Sequence, residues 1–118
     1  MSPPPDHQTD PLLRTALTEF LDHLALSRGA SEHTLKAYRT DCEEFLAAMA
    51  RAGMDVLRLD RRGVETYFAT RFGRDAPATS ARKLSAIRGF YRHMKRRGIV
   101  EANPWIGIRG PKQGKKLP

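Results

Sequence analysis

Seven cations stand between Ala78 and Gly98, at Arg82, Lys83, Arg88, Arg92, Lys95, Arg96 and Arg97, with no acidic residue among them. The whole chain carries +8, so this segment holds nearly all of the formal excess. Laid out at 100° per residue, Leu84, Ile87, Phe90, Tyr91 and Met94 share one arc of about 120°. Ser85, Arg88, Arg92 and Arg96 fall opposite, with Arg82, Gly89 and Lys95 at the edges of that face. Arg88, Arg92 and Arg96 follow at i, i+4 and i+8, about 6 Å apart, with no Glu at i±4 to relieve their repulsion. A phosphate backbone would turn that repulsion into attraction. A helix of roughly 20 residues is about 30 Å long, close to one turn of B-DNA. The small residues Ala81, Ser85 and Gly89 allow close approach, and Arg side chains can reach guanine edges or phosphates. The same pattern also fits a helix whose basic face is merely solvated, or one that docks on an acidic protein partner. Lys83 projects nearer the apolar side and is expected to snorkel.

A second basic group opens an earlier helix. His33, Lys36, Ala37 and Thr40 lie opposite its apolar stripe, Arg39 flanks them, and Ser31 and Thr34 sit at the N-terminus. Free backbone N–H groups there suit a phosphate, and they equally suit simple capping.

Four amphipathic segments must position these groups. The first starts at Pro11, carries Leu13, Leu17, Phe20, Leu21 and Leu24, and stops at Gly29. Ser31 caps the second, striped by Leu35, Tyr38, Cys42, Phe45, Leu46 and Met49 and ended by Gly53. Leu57 and Leu59 are expected to tuck a short connection against the core. Asp60 caps a third helix with Val64, Tyr67, Phe68 and Phe72 inward, and Gly73 and Pro77 punctuate the break after it. The basic helix starts at Ala78 or Thr79 and ends at Gly98. Residues 1–10 are polar and proline-rich and read as a disordered tail. Residues 11–103 form the domain, and 104–118 read as an extended linker begun by the Asn103-Pro104 turn, with Trp105 anchoring its start. No stretch alternates with period two, so the fold class is all-α, a compact four-helix bundle.

Composition narrows the function classes. The 118 residues make one domain, able to bury about 60–65% of its unfolded surface. One cysteine, Cys42, excludes an internal disulfide and suggests a reducing compartment; it lies on an apolar stripe and reads as an inert hydrophobe. No apolar run spans a bilayer and residues 1–11 lack signal-peptide features, so the expected location is cytoplasmic, without membrane partners. His7, His23, His33 and His93 lack metal-ligand spacing, and His93 reads as a polar flank of the basic helix. Tyr38, Tyr67 and Tyr91 take core positions, and no glycine-rich phosphate loop is present. No cofactor, metal or catalytic set is expected.

Two motifs go further. Ser31-x-x-Thr34-Leu35-x-x-Tyr38-x-x-Asp41 resembles the S-x-x-T-L-x-x-Y-x-x-D-L pattern of tyrosine recombinases of the Xer type. Arg82-Lys83-Leu84-Ser85-Ala86-Ile87-Arg88-x-Phe90-Tyr91 resembles their R-x-L-S-A-[LIV]-R-x-[FL]-[FY] helix. Asn103-Pro104, Pro111-Lys112 and Leu117-Pro118 are similar to the linker leaving that domain, and their spacing leans toward the XerC branch. Cys42 departs from the pattern, replacing a leucine.

The resemblance implies a SAM-like orthogonal bundle, the core-binding domain that forms half of a clamp around a duplex recombination site, helices two and four facing the major groove. It makes Ser85, Arg88 and Arg92 groove or phosphate contacts and Thr34, Lys36, Arg39 and Arg82 backbone contacts, joined by Lys95, Arg96 and Lys112. It implies other recombinase protomers as partners on DNA, a monomer in isolation, a place on the bacterial nucleoid, and a catalytic domain beginning beyond Pro118. No tyrosine here matches that family's nucleophile, so the chain itself is expected to bind DNA in chromosome-dimer resolution without cleaving it.

Overall fold

The computed structural model describes residues 10–71 and 74–109 of the chain. Among the described residues four α-helices follow in order: α1 (Pro11–Arg28), α2 (Glu32–Ala52), α3 (Arg61–Arg71) and α4 (Pro77–Arg96), with a 3-10 turn at Val56–Arg58. No strand occurs among the described residues. The architecture is the all-helical bundle expected from periodicity, and it is consistent with a SAM-like bundle.

Local chemistry sets the helix ends. Asp10 Oδ1 accepts the Leu12 N–H at 2.9 Å, and Pro11 takes the first helical position, where a missing N–H costs nothing. Ser31 Oγ accepts the Thr34 N–H at 3.1 Å to start α2, and Asp60 Oδ1 accepts the Gly63 N–H at 3.0 Å to start α3. Gly29 (φ 65°) and Gly53 (φ 69°) end α1 and α2 in the left-handed region, which favours a residue without Cβ. The basic helix begins at Pro77, one or two residues before the expected Ala78 or Thr79, because a proline at N1 is already set to helical φ.

α4 packs against both α1 and α2, and α3 packs on α2. Leu84, Ile87, Phe90, Tyr91 and Met94 are all buried, so the expected apolar arc of α4 is the face it turns to the core. Leu13, Leu17, Phe20 and Leu21 meet it from α1, and Cys42, Phe45, Leu46 and Met49 from α2. Burial of Cys42 pushes its thiol pKa well up, as suits a group that packs rather than reacts.

Several side chains depart from the expected placement. In the connection after α2, Val56 is fully buried, while Leu57 and Leu59 are half-buried against the core. The Val56 carbonyl accepts the Tyr91 hydroxyl at 2.5 Å, which gives a buried phenol its partner. Tyr38 is only partly buried, since it sits at the mouth between α1 and α4. Lys83 does not snorkel. It is buried, with Nζ 2.5 Å from the part-exposed Glu44 and 3.6 Å from Asp75, and these two carboxylates compensate its charge. His93, expected as a polar flank of the basic helix, is buried against α1, with Nε2 3.1 Å from Glu19 Oε1. Phe72 and Gly73, the 1–9 tail and residues 110–118 lie outside the described residues.

After α4 the chain stays on the bundle. Trp105 is 0% exposed, its ring 5.5 Å from Phe45, 6.2 Å from Tyr67 and 6.0 Å from Phe68. Edge-on geometry with Phe45 (84°) and Tyr67 (79°) suits the ring quadrupoles. Trp105 thus anchors the departing segment as expected.

The approach of α1 to α4 depends on Gly89. A Cβ there would stand 2.8 Å from Cζ and 3.0 Å from Cε1 of the buried Phe20 ring, so the ring or the helix would have to shift. Gly89→Ala should therefore lose about 1 kcal/mol net in urea unfolding, overpacking of about 1–3 kcal/mol exceeding a helix-propensity gain of about 1 kcal/mol. In a Phe20→Leu background the cost should vanish. A stabilised Gly89→Ala single variant would show that the contact does not limit the approach.

Candidate nucleic-acid interface

The cations of α4 divide into two sets. Asp41 of α2 has no exposed surface and receives a side-on fork from Arg82, Nε to Oδ2 and Nη2 to Oδ1, both at 2.8 Å. This bond to a carboxylate raises the Arg82 pKa. Lys83 meets Glu44 and Asp75, and Arg71 of α3 lies 3.9 Å from the same Glu44. Arg97 forks onto Glu19 of α1 with Nε at 3.0 Å and Nη2 at 3.3 Å. That pair, and the His93 contact after it, hold the Glu19 carboxyl below its ordinary 4.5. A folded-state pKa lowered in this way contributes stability above pH 4.5, which is lost as pH falls through the folded value. The expectation of an uncompensated basic segment therefore holds for only part of it. Acids are absent in sequence, but α1, α2 and Asp75 bring them in space.

The other set faces a groove of about 340 Å³ lined by Phe20, His23, Leu24, Arg28, Tyr38, Ser85, Arg88, Gly89, Arg92 and Arg96. None of these residues is acidic. The rings of Phe20 and Tyr38 stack in its wall at 6.5 Å and 21°. Ser85, Arg92 and Arg96 are exposed, as is Lys95 beside them, and no ion pair engages Arg92, Lys95 or Arg96 among the described residues. Arg88 borders the groove but its guanidinium is occupied: Nε donates to the Trp105 carbonyl at 3.0 Å and Nη2 to that of Ile108. On α2, Lys36 and Arg39 are exposed, outside the groove lining, and Thr34 Oγ1 accepts from Ser31 Oγ at 3.1 Å. The structure thus brings Ser85, Arg88, Arg92 and Arg96 to one groove and turns Arg82 toward α2. Lys112 lies outside the described residues.

Two groove residues escaped the sequence reading, His23 and Arg28 of α1. α1 has no charge run, so only its packing beside α4 reveals them. Among the described residues no group of three His, Cys, Asp or Glu side chains could hold a metal ion, and no helix is long and apolar enough to cross a membrane.

The arrangement of four helices with a basic groove between the first, second and fourth can be set beside known proteins. The phage integrase N-terminal SAM-like domain matches residues 17–98, from within α1 to just past α4. The chain belongs to the phage integrase N-terminal SAM-like domain family. This SAM-like domain is 40% identical over 102 residues to tyrosine recombinase XerC of Xylella fastidiosa (strain 9a5c), covering 85% of the chain and 35% of that relative. It is 39% identical over 108 residues to tyrosine recombinase XerC of Pseudomonas aeruginosa (strain LESB58), covering 90% and 36%. It is 37% identical over 100 residues to tyrosine recombinase XerD of Caulobacter vibrioides (strain ATCC 19089 / CIP 103742 / CB 15), covering 84% and 33%. The SAM-like domain thus spans about a third of the length of these curated relatives. No solved structure gives a significant match.

The Asp41–Arg82 fork separates a structural role for Arg82 from a DNA role. Arg82→Ala strands a fully buried carboxylate, a loss of about 3–5 kcal/mol for a wholly buried pair. The 42% exposure of the Arg82 side chain lets water offset part of this, so about 2–4 kcal/mol is expected in urea unfolding. Unchanged stability in Arg82→Ala would show that the fork contributes nothing to the fold.

Proposed function

We propose that this SAM-like domain binds duplex DNA at a recombination site, as the core-binding part of a site-specific tyrosine recombinase. The observation that carries the reading is the groove: Arg92 and Arg96 border it, Lys95 stands beside them, and none of the three has an acidic partner among the described residues. Duplex DNA presents one phosphate charge per ~1.7 Å of axis, and neutralising it releases counterions. Exposed cations on successive turns of one helix match that polymer better than they match a small anion.

Roles divide by position in this reading. Ser85, Arg88, Arg92 and Arg96 of α4 meet the groove or phosphates of the DNA, joined by Arg28 of α1, with Lys95 on the adjoining backbone. Thr34, Lys36 and Arg39 clamp a phosphate run at the start of α2, where free N–H groups add to the attraction. Arg82 offers phosphate its outer edge while the inner edge holds Asp41, so little rotamer entropy is lost on contact. Lys112 continues the backbone contacts beyond the described residues. The names of the relatives, tyrosine recombinases, support recombination as the setting; further recombinase protomers on the same DNA are part of the proposal. The role proposed for the domain is positioning; burial raises the pKa of both Tyr91 and Tyr67, the latter to about 12, which disfavours their phenolates.

A mobility shift on a duplex recombination half-site tests the reading. Binding is expected at micromolar protein in about 50 mM salt, with log K falling against log salt at a slope of about −4 to −5 if five phosphates are met. Arg92→Ala and Arg96→Ala should each flatten the slope by about one unit. No shift at tens of micromolar protein would overturn the proposal, as would a slope unchanged in both variants.

A further inference from the structure

Arg88 stands at the junction of two features, the basic groove and the segment leaving the bundle. Its side chain borders the groove. Its Nε and Nη2 donate to the carbonyls of Trp105 and Ile108, in the departing segment. The tie runs in both directions, for Asn103 Nδ2 donates to the Arg88 carbonyl at 3.2 Å and Asn103 Oδ1 accepts the Trp105 N–H at 3.0 Å. The segment between these points is itself turned back: the Ile108 N–H donates to the Trp105 carbonyl at 3.2 Å, and Gly107 takes φ 81°. The clasp's far side lies beyond the span that matches the family, which ends at Gly98.

A guanidinium has five N–H donors, and one edge suffices for two carbonyls. Using Nε and Nη2 on the segment leaves Nη1 clear of both acceptors. A lysine in the same place presents a single charged point and could not span two carbonyls in a fixed plane. The indole of Trp105 holds one end of the segment by burial, and the Ile108 side chain packs half-buried on the core at the other. The contacts from Arg88 to the Trp105 and Ile108 carbonyls add a polar tie that fixes the backbone between them.

We propose that Arg88 is a positioning residue which fixes the direction of the 105–108 segment relative to the basic groove. The part of this concerning DNA rests on the function proposed above; the clasp itself does not. Whatever occupies the groove then meets a side chain that also sets the path of the exit, so groove and exit keep one mutual orientation.

Amide hydrogen exchange on the 118-residue chain tests it, read at Trp105, Ile106 and Ile108. Arg88→Ala should speed exchange there at least about tenfold, with core amides of α2 changed much less. Arg88→Lys should also lose protection, since an ammonium cannot span both carbonyls. Arg92→Ala should leave exchange at 105–108 unchanged while weakening DNA binding. If Arg88→Ala fails to fold, Arg88→Lys and Asn103→Ala carry the test, and each should loosen the segment. Wild-type protection at 105–108 in Arg88→Lys, or equal loosening by Arg92→Ala, would overturn the proposal. Absence of any DNA shift by the wild-type chain would remove the DNA reading and leave the exchange result standing.

Discussion

A carboxylate with no exposed surface must have a cation within reach, and Asp41 finds one in Arg82. That requirement sets how α4 is rotated against α2. With Arg82 forked onto Asp41 and Lys83 drawn down to Glu44 and Asp75, the N-terminal half of α4 has a single register. Helical geometry then carries the consequence along the axis: the apolar arc turns to the core, and Ser85, Arg88, Arg92 and Arg96 turn to the groove. At the far end Arg97 and His93 meet Glu19 and fasten α4 to α1. Between the two ionic seams Gly89 admits the Phe20 ring and lets α1 form a groove wall.

A helix packed on two neighbours is an unusual place for six cations in one run, with Arg97 directly after it. Burying apolar surface favours packing α4 on α1 and α2, at about 25 cal/mol per Å² of apolar area, while desolvating its charges opposes this. The conflict is resolved by sorting. Cations turned toward neighbours acquire carboxylates, and those turned outward remain in solvent. A buried ion pair is weak evidence for stability in itself, since desolvation offsets most of the attraction. Its effect here is orientational, for a two-pronged fork tolerates little rotation. The unpaired remainder is thereby concentrated on one strip, where a polyanion can use it.

Helix periodicity, the caps at Asp10, Ser31 and Asp60, and the stops at Gly29 and Gly53 are local features, because each depends on residues within a turn of one another. All but the Asp10 cap were legible in the amino-acid sequence. The burial of Cys42, Tyr91 and Trp105 was legible too, from stripe position or a turn followed by a large ring. The fates of Lys83 and His93 were not. Each lies near the boundary between the apolar and basic faces, and what decided them was a carboxylate 39 to 74 residues away. The same holds for His23 and Arg28, which join the groove because α1 lies beside α4.

By itself, then, the amino-acid sequence determined an all-helical chain, the order of its helices and their limits to within about two residues, the arc of α4 that enters the core, and the family, since motifs and amphipathic stripes are local properties of the chain. Tertiary structure alone decided which cations remain available. Ion pairing depends on distances of a few ångströms between side chains from different helices, and periodicity carries no information on those. It also gave Arg88 its double setting, because the carbonyls of Trp105 and Ile108 reach its guanidinium only when the exit segment folds back over α4.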